Sequence, residues 1–166
     1  PNAQWPGGVS SWNARLHSLG LKAGFYTDYG LRGCCSCAWQ PSGSGGFGDA
    51  GYIDKDMEQL AEMGVDYIKV DSCQPVVWRD GKPDDSGQYE AFRDGILKAK
   101  TTRNMLYSVI GFKGNPAAGA PPIGDLDPYA WLNQTGNTWR ASQDILYSWR
   151  DLMSNLDSQQ RVPNVE

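Results

Sequence analysis

The stretch Met63-Gly64-Val65-Asp66-Tyr67-Ile68-Lys69-Val70-Asp71-Ser72-Cys73 decides the fold. It is typical of a helix end, a glycine turn and a short strand that is apolar almost throughout. A strand that is apolar on both faces needs cover on both sides, which favours a parallel sheet in an α/β protein. In such proteins the functional groups collect at the carboxyl ends of the strands. Because alternate residues share a face, we expect Lys69, Asp71 and Cys73 on one face, with Asp71 as the first catalytic candidate.

Helix and strand patterns alternate on both sides of this stretch. Apolar residues at helical spacing predict helices at about 9–19, 53–61, 89–97 and 145–156, and strand patterns lie at 21–28, 105–110 and 139–142. Polar or glycine-rich loops are expected between them at 29–51, 74–87 and 111–128. This order is that of βαβ units, so the fold class is α/β with a parallel sheet and crossover helices. Periodicity alone does not separate a doubly wound sheet from part of a (β/α)8 barrel, and four strands are too few to close a barrel of eight.

Size and composition narrow the class of protein. The 166 residues are enough for one domain with a sizeable core. The formal net charge of −4 gives no basic footprint for nucleic acid, and no apolar run approaches the roughly 18 residues that span a bilayer. No signal peptide is recognisable and the chain opens without Met, so we expect a segment that is mature, processed or excised from something longer. Seven Trp and eight Tyr suit a surface that binds sugar rings, although each is more often a packing residue. The oligomeric state is not indicated.

The four cysteines are Cys34, Cys35, Cys37 and Cys73. A zinc site would need all four, but there is no second C-x-x-C pair. A thioredoxin-like motif would open a helix after a strand, whereas Gly, Ser and Pro surround these residues. One or two disulfides in an oxidising compartment is the favoured interpretation. We therefore expect no metal and no cofactor.

Some other polar residues have ordinary interpretations. His17, the only histidine, lies opposite the apolar face of its helix and is expected to be solvated. Asp28, Asp125 and Asp127 are expected to be turn or loop residues. Asn133-Gln134-Thr135 fits an N-glycosylation sequon, which has meaning only in a eukaryotic secretory host.

Three segments carry a resemblance to a known family. They are Gly20-Leu21-Lys22-Ala23-Gly24-Phe25-Tyr26-Thr27-Asp28, the stretch from Gly64 to Cys73, and Gly136-Asn137-Thr138-Trp139-Arg140-Ala141-Ser142-Gln143-Asp144-Ile145. In this order they resemble glycoside hydrolase family 27, which contains the α-galactosidases and α-N-acetylgalactosaminidases of the melibiase type. The similarity extends from about Trp5 to Gln160. It implies that residues 1–166 are a single segment of a catalytic (β/α)8 barrel, roughly strands 3 to 6 with their helices.

The resemblance also implies roles for individual residues. It makes Asp71 the nucleophile and Asp144 the general acid/base of a retaining glycosidase. It places sugar-binding positions at Tyr26, Lys69, Arg140 and Cys34, and a disulfide between Cys34 and Cys73. Cys35 and Cys37 lie in a loop that is longer than usual for the family, and the resemblance implies no partner for them. The substrate is expected to be a carbohydrate, and the location secreted, lysosomal or otherwise extracytoplasmic.

One position departs from the family pattern. After Tyr107-Ser108 the galactosidases commonly continue Cys-Glu-Trp, in which the Glu reads the 2-hydroxyl of the sugar, whereas this chain has Val109-Ile110-Gly111. Losing that acceptor is expected to cost a galactoside on the order of 1–3 kcal/mol of binding. Another sugar is therefore an alternative: an α-N-acetylgalactosaminide, an isomalto-oligosaccharide or a β-L-arabinopyranoside. A sugar-binding module without catalysis is a further alternative, as is an inactive isolated fragment.

The chemistry explains why two carboxyl groups are required. Retaining hydrolysis needs a nucleophile and an acid/base about 5–5.5 Å apart, and only tertiary structure can bring Asp71 and Asp144 that close. Lys69 is expected to hold Asp71 ionised, whereas Asp144 must keep its proton. Without the family resemblance, Asp71 is as consistent with a capping or turn carboxylate as with a nucleophile. Asp144 by itself is consistent with an N-cap of the helix that follows.

Overall fold

The computed structural model describes residues 6–28, 52–71, 78–79, 82–83, 85–99, 103–110, 131–140, 145 and 147–159. In chain order the elements within these ranges are α1 (Gly8–Ser18), β1 (Gly24–Asp28), α2 (Ile53–Glu62), β2 (Tyr67–Asp71), β3 (Trp78–Arg79), β4 (Lys82–Pro83), α3 (Asp85–Lys98), β5 (Leu106–Ile110), α4 (Leu132–Thr135), β6 (Thr138–Arg140) and α5 (Trp149–Gln159). The predicted alternation of helix and strand is therefore confirmed.

The four longer pieces of strand form one parallel sheet in the order β1-β2-β5-β6. Strand order thus follows chain order. The helices α2 and α3, which lead into β2 and β5, also pack against each other. In a (β/α) barrel, successive helices pack next to one another on one side of the sheet. A doubly wound sheet instead reverses its strand order and has helices on both faces. The structure therefore decides the alternative that periodicity left open.

The core lies between the sheet and the helices that cover it. Burial alternates along β2, where Ile68 and Val70 are fully buried while Tyr67, Lys69 and Asp71 are half-buried. The buried apolar cluster consists of Met57, Val65, Ile68, Val70, Tyr89, Phe92, Ala99, Met105, Tyr107, Val109, Ile110 and Leu132. The face of β2 that carries Ile68 and Val70 therefore belongs to the core, and its other face is left for polar residues.

Two helices end at glycines with left-handed backbone. Gly20 and Gly64 both have φ of 75°, and each follows a helix that leads into a strand of the sheet. A residue with a β-carbon pays steric energy in this conformation, whereas glycine does not. The prediction that Gly20 stops the first helix is confirmed, and Gly64 makes the same turn before β2.

Three local features differ from the sequence expectations. The predicted polar loop at 74–87 contains the short antiparallel pair of β3 and β4, and it ends where α3 begins at Asp85. The helix α4 was not predicted. The last helix begins at Trp149 rather than Ile145, because the Oγ of Ser148 accepts a hydrogen bond from the backbone N–H of Asp151 at 3.1 Å and so caps the first turn. The predicted loops 29–51 and 111–128 lie outside the described residues.

Candidate active site

Polar side chains gather at the carboxyl ends of β1 and β2. Tyr26 is the Cα partner of Lys69, and Asp28 is the Cα partner of Asp71. Residues in register on neighbouring parallel strands, about 4.8 Å apart, point to the same face of the sheet. Because Ile68 and Val70 point into the core, these four residues lie on the opposite face. The structure therefore brings together three of the predicted site residues, Tyr26, Lys69 and Asp71.

A direct hydrogen bond joins Tyr26 and Asp71. The phenol hydroxyl of Tyr26 donates a hydrogen bond to Oδ2 of Asp71 at 2.5 Å, at the short end of the range for an O–H donor on a carboxylate. The Nζ of Lys69 lies 5.3 Å from the centroid of the Tyr26 ring, within the range of a cation–π interaction. The tyrosine is thus held on one side by a cation and on the other by the candidate nucleophile.

The same face continues across β5 and β6. Val70 is paired with Val109, so Ile110 follows at the level of Asp71, and Ile110 is paired in turn with Arg140. Because β6 follows β5 in the sheet, Arg140 lies two strands from Asp71 at the same edge. It is half-buried. Ile110 is buried, with 6% of its surface exposed, and it brings no polar atom to this edge.

The expectation that Asp28 is a turn or loop residue is wrong. It is the last residue of β1 and is 1% exposed, so a buried carboxylate stands beside Asp71 on the neighbouring strand. The available signal was its position two residues after Tyr26, since the same period-two argument that grouped Lys69 with Asp71 also groups Tyr26 with Asp28.

Several predicted site residues lie outside the described residues. They are Asp144 and the cysteines Cys34, Cys35, Cys37 and Cys73. Their predicted roles, including the disulfide between Cys34 and Cys73, stay predictions. The alternative interpretation of Asp144 as an N-cap is wrong, because the helix begins five residues later and Ser148 caps it.

A second polar cluster lies at the opposite end of β2. Asp66 is buried, and its Oδ2 accepts hydrogen bonds from the backbone N–H of Ala23 at 2.9 Å and lies 2.7 Å from Nε2 of His17. Its Oδ1 lies 2.8 Å from Nε of Arg103 and 3.5 Å from Nζ of Lys22. Burial by itself would raise the pKa of Asp66, but the Ala23 amide, Arg103 and His17 together hold that pKa well below its usual range. The expectation of a solvated His17 is therefore wrong.

The position of the Asp66 cluster indicates a role in stability. It joins α1, the entry to β1, the start of β2 and the segment before β5 at the amino ends of the strands. In (β/α)8 barrels that end contributes to stability, whereas catalysis occupies the other end. No local sequence pattern indicates the Asp66 cluster, because His17 and Arg103 are 49 and 37 residues away from Asp66 along the chain.

An open pocket of about 620 Å³ also lies away from the carboxyl ends of the strands, between α3 and α4. Its walls include Arg93, Arg103 and Asn137. The guanidinium groups are already bound to Asp94 and Asp66, and the side-chain oxygen of Asn137 accepts the backbone N–H of Tyr107. Because these polar groups are engaged within the protein, the pocket does not compete with Asp71 as the candidate site.

The described residues contain neither a cluster of metal ligands nor a membrane-spanning helix. Among the residues that the structure describes, no group of three or more His, Cys, Asp or Glu is placed to hold a metal ion. Over the same part of the chain, no helix is long and apolar enough to cross a bilayer.

Comparisons with known proteins agree with this geometry. The sequence profile of the family described as alpha galactosidase A (Melibiase_2) matches residues 1–164. A probable alpha-galactosidase B from Aspergillus oryzae is 30% identical over 182 residues, which cover 89% of this chain and 36% of the relative. The chain thus spans about a third of the length of the curated relatives it matches.

Solved structures give the same result. Alpha-galactosidase I from Mortierella vinacea superposes with a TM-score of 0.63 at 29% identity, over 85% of this chain and 30% of that one. A family 27 β-L-arabinopyranosidase from Geobacillus stearothermophilus superposes with a TM-score of 0.60 at 19% identity, over 92% of this chain and 38% of that one. The second match shows likeness of fold alone. The sheet and its helices are therefore part of the (β/α)8 barrel that such enzymes share.

Proposed function

Since this chain belongs to glycoside hydrolase family 27, of the melibiase type, we propose that the protein carrying it is a retaining glycosidase for terminal α-linked sugars, above all α-galactosides. The observation that carries the proposal is Asp71, half-buried at the end of β2 with the hydroxyl of Tyr26 on one of its oxygens and Lys69 on the same face. An ionised carboxylate in fixed orientation is what a glycosyl-accepting nucleophile needs.

The proposed reaction has two displacements. In the first, an oxygen of Asp71 bonds to the anomeric carbon, the bond to the leaving oxygen breaks, and that oxygen takes a proton from Asp144. In the second, water attacks the anomeric carbon and gives a proton to Asp144, while the bond to Asp71 breaks and its electron pair returns to the carboxylate. Net retention of configuration follows from two inversions.

The other members of the site are proposed to hold the sugar. Arg140 lies at the same edge of the sheet as Asp71, and its guanidinium is a donor for sugar hydroxyls or for the acid/base. Lys69 and Tyr26 line the floor beside the nucleophile, and Cys34 completes the set by family resemblance. The proposal includes the Cys34–Cys73 disulfide and a secreted or lysosomal location, because disulfides persist in oxidising compartments.

Ile110 favours a second candidate substrate. It occupies the end of β5 at the level of Asp71, is buried, and offers no acceptor to a sugar hydroxyl. A substrate whose 2-position does not require a hydrogen-bond acceptor fits such a residue better than a plain galactoside does. The sugars are distinguished by comparing kcat/KM for four substrates. These are the aryl glycosides of α-galactose, α-N-acetylgalactosamine and β-L-arabinopyranose, and an isomalto-oligosaccharide.

The test of the reaction uses Asp71→Gly in the protein expressed from its complete coding sequence. Turnover of an aryl α-galactoside is expected to fall by at least about 10⁴-fold, because no covalent intermediate forms. Azide is expected to restore turnover by occupying the space of the lost carboxylate, and the product is then β-galactosyl azide, of inverted configuration. Asp54→Asn, which breaks the exposed Asp54–Lys98 pair, is the control and should retain wild-type rates.

Two results would contradict the proposal. Undiminished turnover in Asp71→Gly would remove Asp71 from the reaction. Binding of α-galactosides without any turnover by the wild-type protein would favour a sugar-binding module in place of an enzyme.

A further inference from the structure

The contact between Tyr26 and Asp71 has a geometry that sugar binding alone does not explain. The hydroxyl of Tyr26 donates to Oδ2 of Asp71 at 2.5 Å, within the range of about 2.5–2.7 Å for an O–H donor on an ionised carboxylate. A hydroxyl has a single hydrogen to donate. In this arrangement that hydrogen is directed at the nucleophile, and a sugar hydroxyl would have to compete for it.

The Tyr26 ring is also held in place from its face. The Nζ of Lys69 lies 5.3 Å from the ring centroid, and Lys69 is the Cα partner of Tyr26 on β2. Tyr26 is 47% exposed, so core packing holds its side chain only in part. The register of β1 with β2 and the cation over the ring together direct the hydroxyl at Asp71, two residues beyond Lys69 on the same face.

We propose that Tyr26 is a positioning residue for the nucleophile, which it orients for attack and stabilises as the leaving group when the glycosyl-enzyme is hydrolysed. The inference rests on the proposed function and deepens it. Because Oδ2 accepts the hydrogen bond from Tyr26, attack on the anomeric carbon is assigned to Oδ1. Fixing one oxygen of a carboxylate also fixes the direction of the other.

The hydrogen bond acts differently on the two displacements. When Oδ1 bonds to the anomeric carbon, the carboxylate loses its charge and the hydrogen bond from Tyr26 weakens. When water attacks and the bond between Oδ1 and the anomeric carbon breaks, the electron pair returns to the carboxylate and the hydrogen bond regains its full strength. An interaction that strengthens toward the transition state accelerates that step. Tyr26 therefore assists the second displacement more than the first.

The experiment compares Tyr26→Phe with wild-type protein expressed from the complete coding sequence, using 2,4-dinitrophenyl α-galactoside. Loss of a hydrogen bond to a charged group predicts a fall in kcat of about 10- to 100-fold. KM is expected to fall as well, because glycosyl-enzyme accumulates, and a burst of dinitrophenol should appear before the steady state. Added methanol, a second acceptor for the glycosyl group, should raise kcat of Tyr26→Phe in proportion to its concentration.

A matched control removes another phenol hydroxyl from the same face of the sheet. Tyr67 begins β2, is half-buried and is the Cα partner of Gly24. Four residues of strand place its Cα about 13 Å from that of Asp71. Tyr67→Phe should therefore show no burst and no response to methanol beyond that of the wild type.

Other outcomes overturn the inference. If KM of Tyr26→Phe rises while kcat stays at the wild-type value, Tyr26 is a sugar contact only. If both constants stay unchanged, the hydroxyl has no role. A wild-type protein without turnover would instead refute the proposed function itself, and the inference with it. Equal urea midpoints for Tyr26→Phe and wild type separate any kinetic loss from loss of folded protein.

Discussion

Asp66 is the residue whose replacement should cost the most stability without touching the candidate site. Its buried carboxylate contacts His17, Arg103, Lys22 and the Ala23 amide. Asp66→Asn keeps an acceptor for the amide but leaves the cations with a neutral partner. We expect the free energy of unfolding at pH 7 to fall by about 2–4 kcal/mol. Urea unfolding measures it, with the exposed-pair variant Asp54→Asn as a control that should change by only a few tenths of a kcal/mol.

The Asp66 cluster should also make the protein sensitive to acid. The pKa of the Asp66 carboxyl in the folded state lies well below the ordinary value of 3.8. As the pH falls, this carboxyl therefore binds a proton in the unfolded chain before it does so in the folded protein. The stabilisation by Asp66 is therefore complete above about pH 5 and is lost as the pH drops below about 4 toward the folded-state pKa. The difference in unfolding free energy between wild type and Asp66→Asn should narrow over that acid range. A constant difference down to pH 2 would contradict the assignment.

Single residues were predictable from sequence where a local pattern contained them. Lys69 and Asp71 follow from period-two geometry at a strand end, and the structure places them on one face. Asp28 and His17 were misjudged. His17 looked solvated because helical spacing describes only its own helix, whereas its partner Asp66 lies 49 residues further along the chain. Contacts over such separations depend on strand register, which no local pattern in this sequence specifies.

At the scale of elements, the glycine turns before β1 and β2 are equivalent and should respond alike. Gly20 and Gly64 have the same φ of 75°, so alanine at either position should cost about 1–2 kcal/mol of stability. A β-carbon on Gly20 meets open space, whereas one on Gly64 lies 3.4 Å from the His17 ring, an ordinary contact. The two losses should therefore agree within about 0.5 kcal/mol in urea unfolding. Asparagine, which tolerates this conformation, should restore part of each loss.

Other patterns of stability loss at Gly20 and Gly64 would contradict equal backbone strain at the two turns. If Gly64→Ala costs far more than Gly20→Ala, contact with His17 rather than backbone strain dominates. If neither substitution costs stability, the left-handed turns do not determine how the helices lead into the sheet.

Element boundaries show what sequence patterns missed. Apolar periodicity located α1, α2, α3 and the four strands of the parallel sheet. It missed α4, whose four residues are too few to show a period, and it started α5 too early, at Ile145. Ile145 lies four residues before Trp149 and so extended the helical pattern, yet it is exposed, and the serine cap at 148 decides where the helix begins.

At the scale of the molecule, the two ends of β2 differ: one carries a stabilising cluster and the other carries the candidate site. Asp66 precedes its first residue and anchors the amino ends of the strands, whereas Asp71 is its last residue and faces the candidate site. The all-parallel order β1-β2-β5-β6 explains this separation, since parallel strands bring all their carboxyl ends to one edge. Sequence predicted the parallel sheet, and the choice between barrel and doubly wound sheet required the observed strand order.

The separation predicts that the two ends of β2 behave independently. Five residues of strand place the Cα atoms of Asp66 and Asp71 about 16 Å apart, and sites beyond about 10 Å without shared partners are additive within roughly 0.5 kcal/mol. In urea unfolding of wild type, Asp66→Asn, Asp71→Asn and the double variant, the two single effects should therefore sum to the double effect. Asp71→Asn alone should change stability by less than about 1 kcal/mol, because Asp71 is only half-buried and its proposed role is in catalysis rather than in stability. Conversely, Asp66→Asn should keep kcat within about twofold of wild type at temperatures where it is folded. A coupling energy above about 1 kcal/mol would mean that the strand transmits strain between its two ends. A large fall in kcat for Asp66→Asn would mean that the amino end of β2 also affects the reaction.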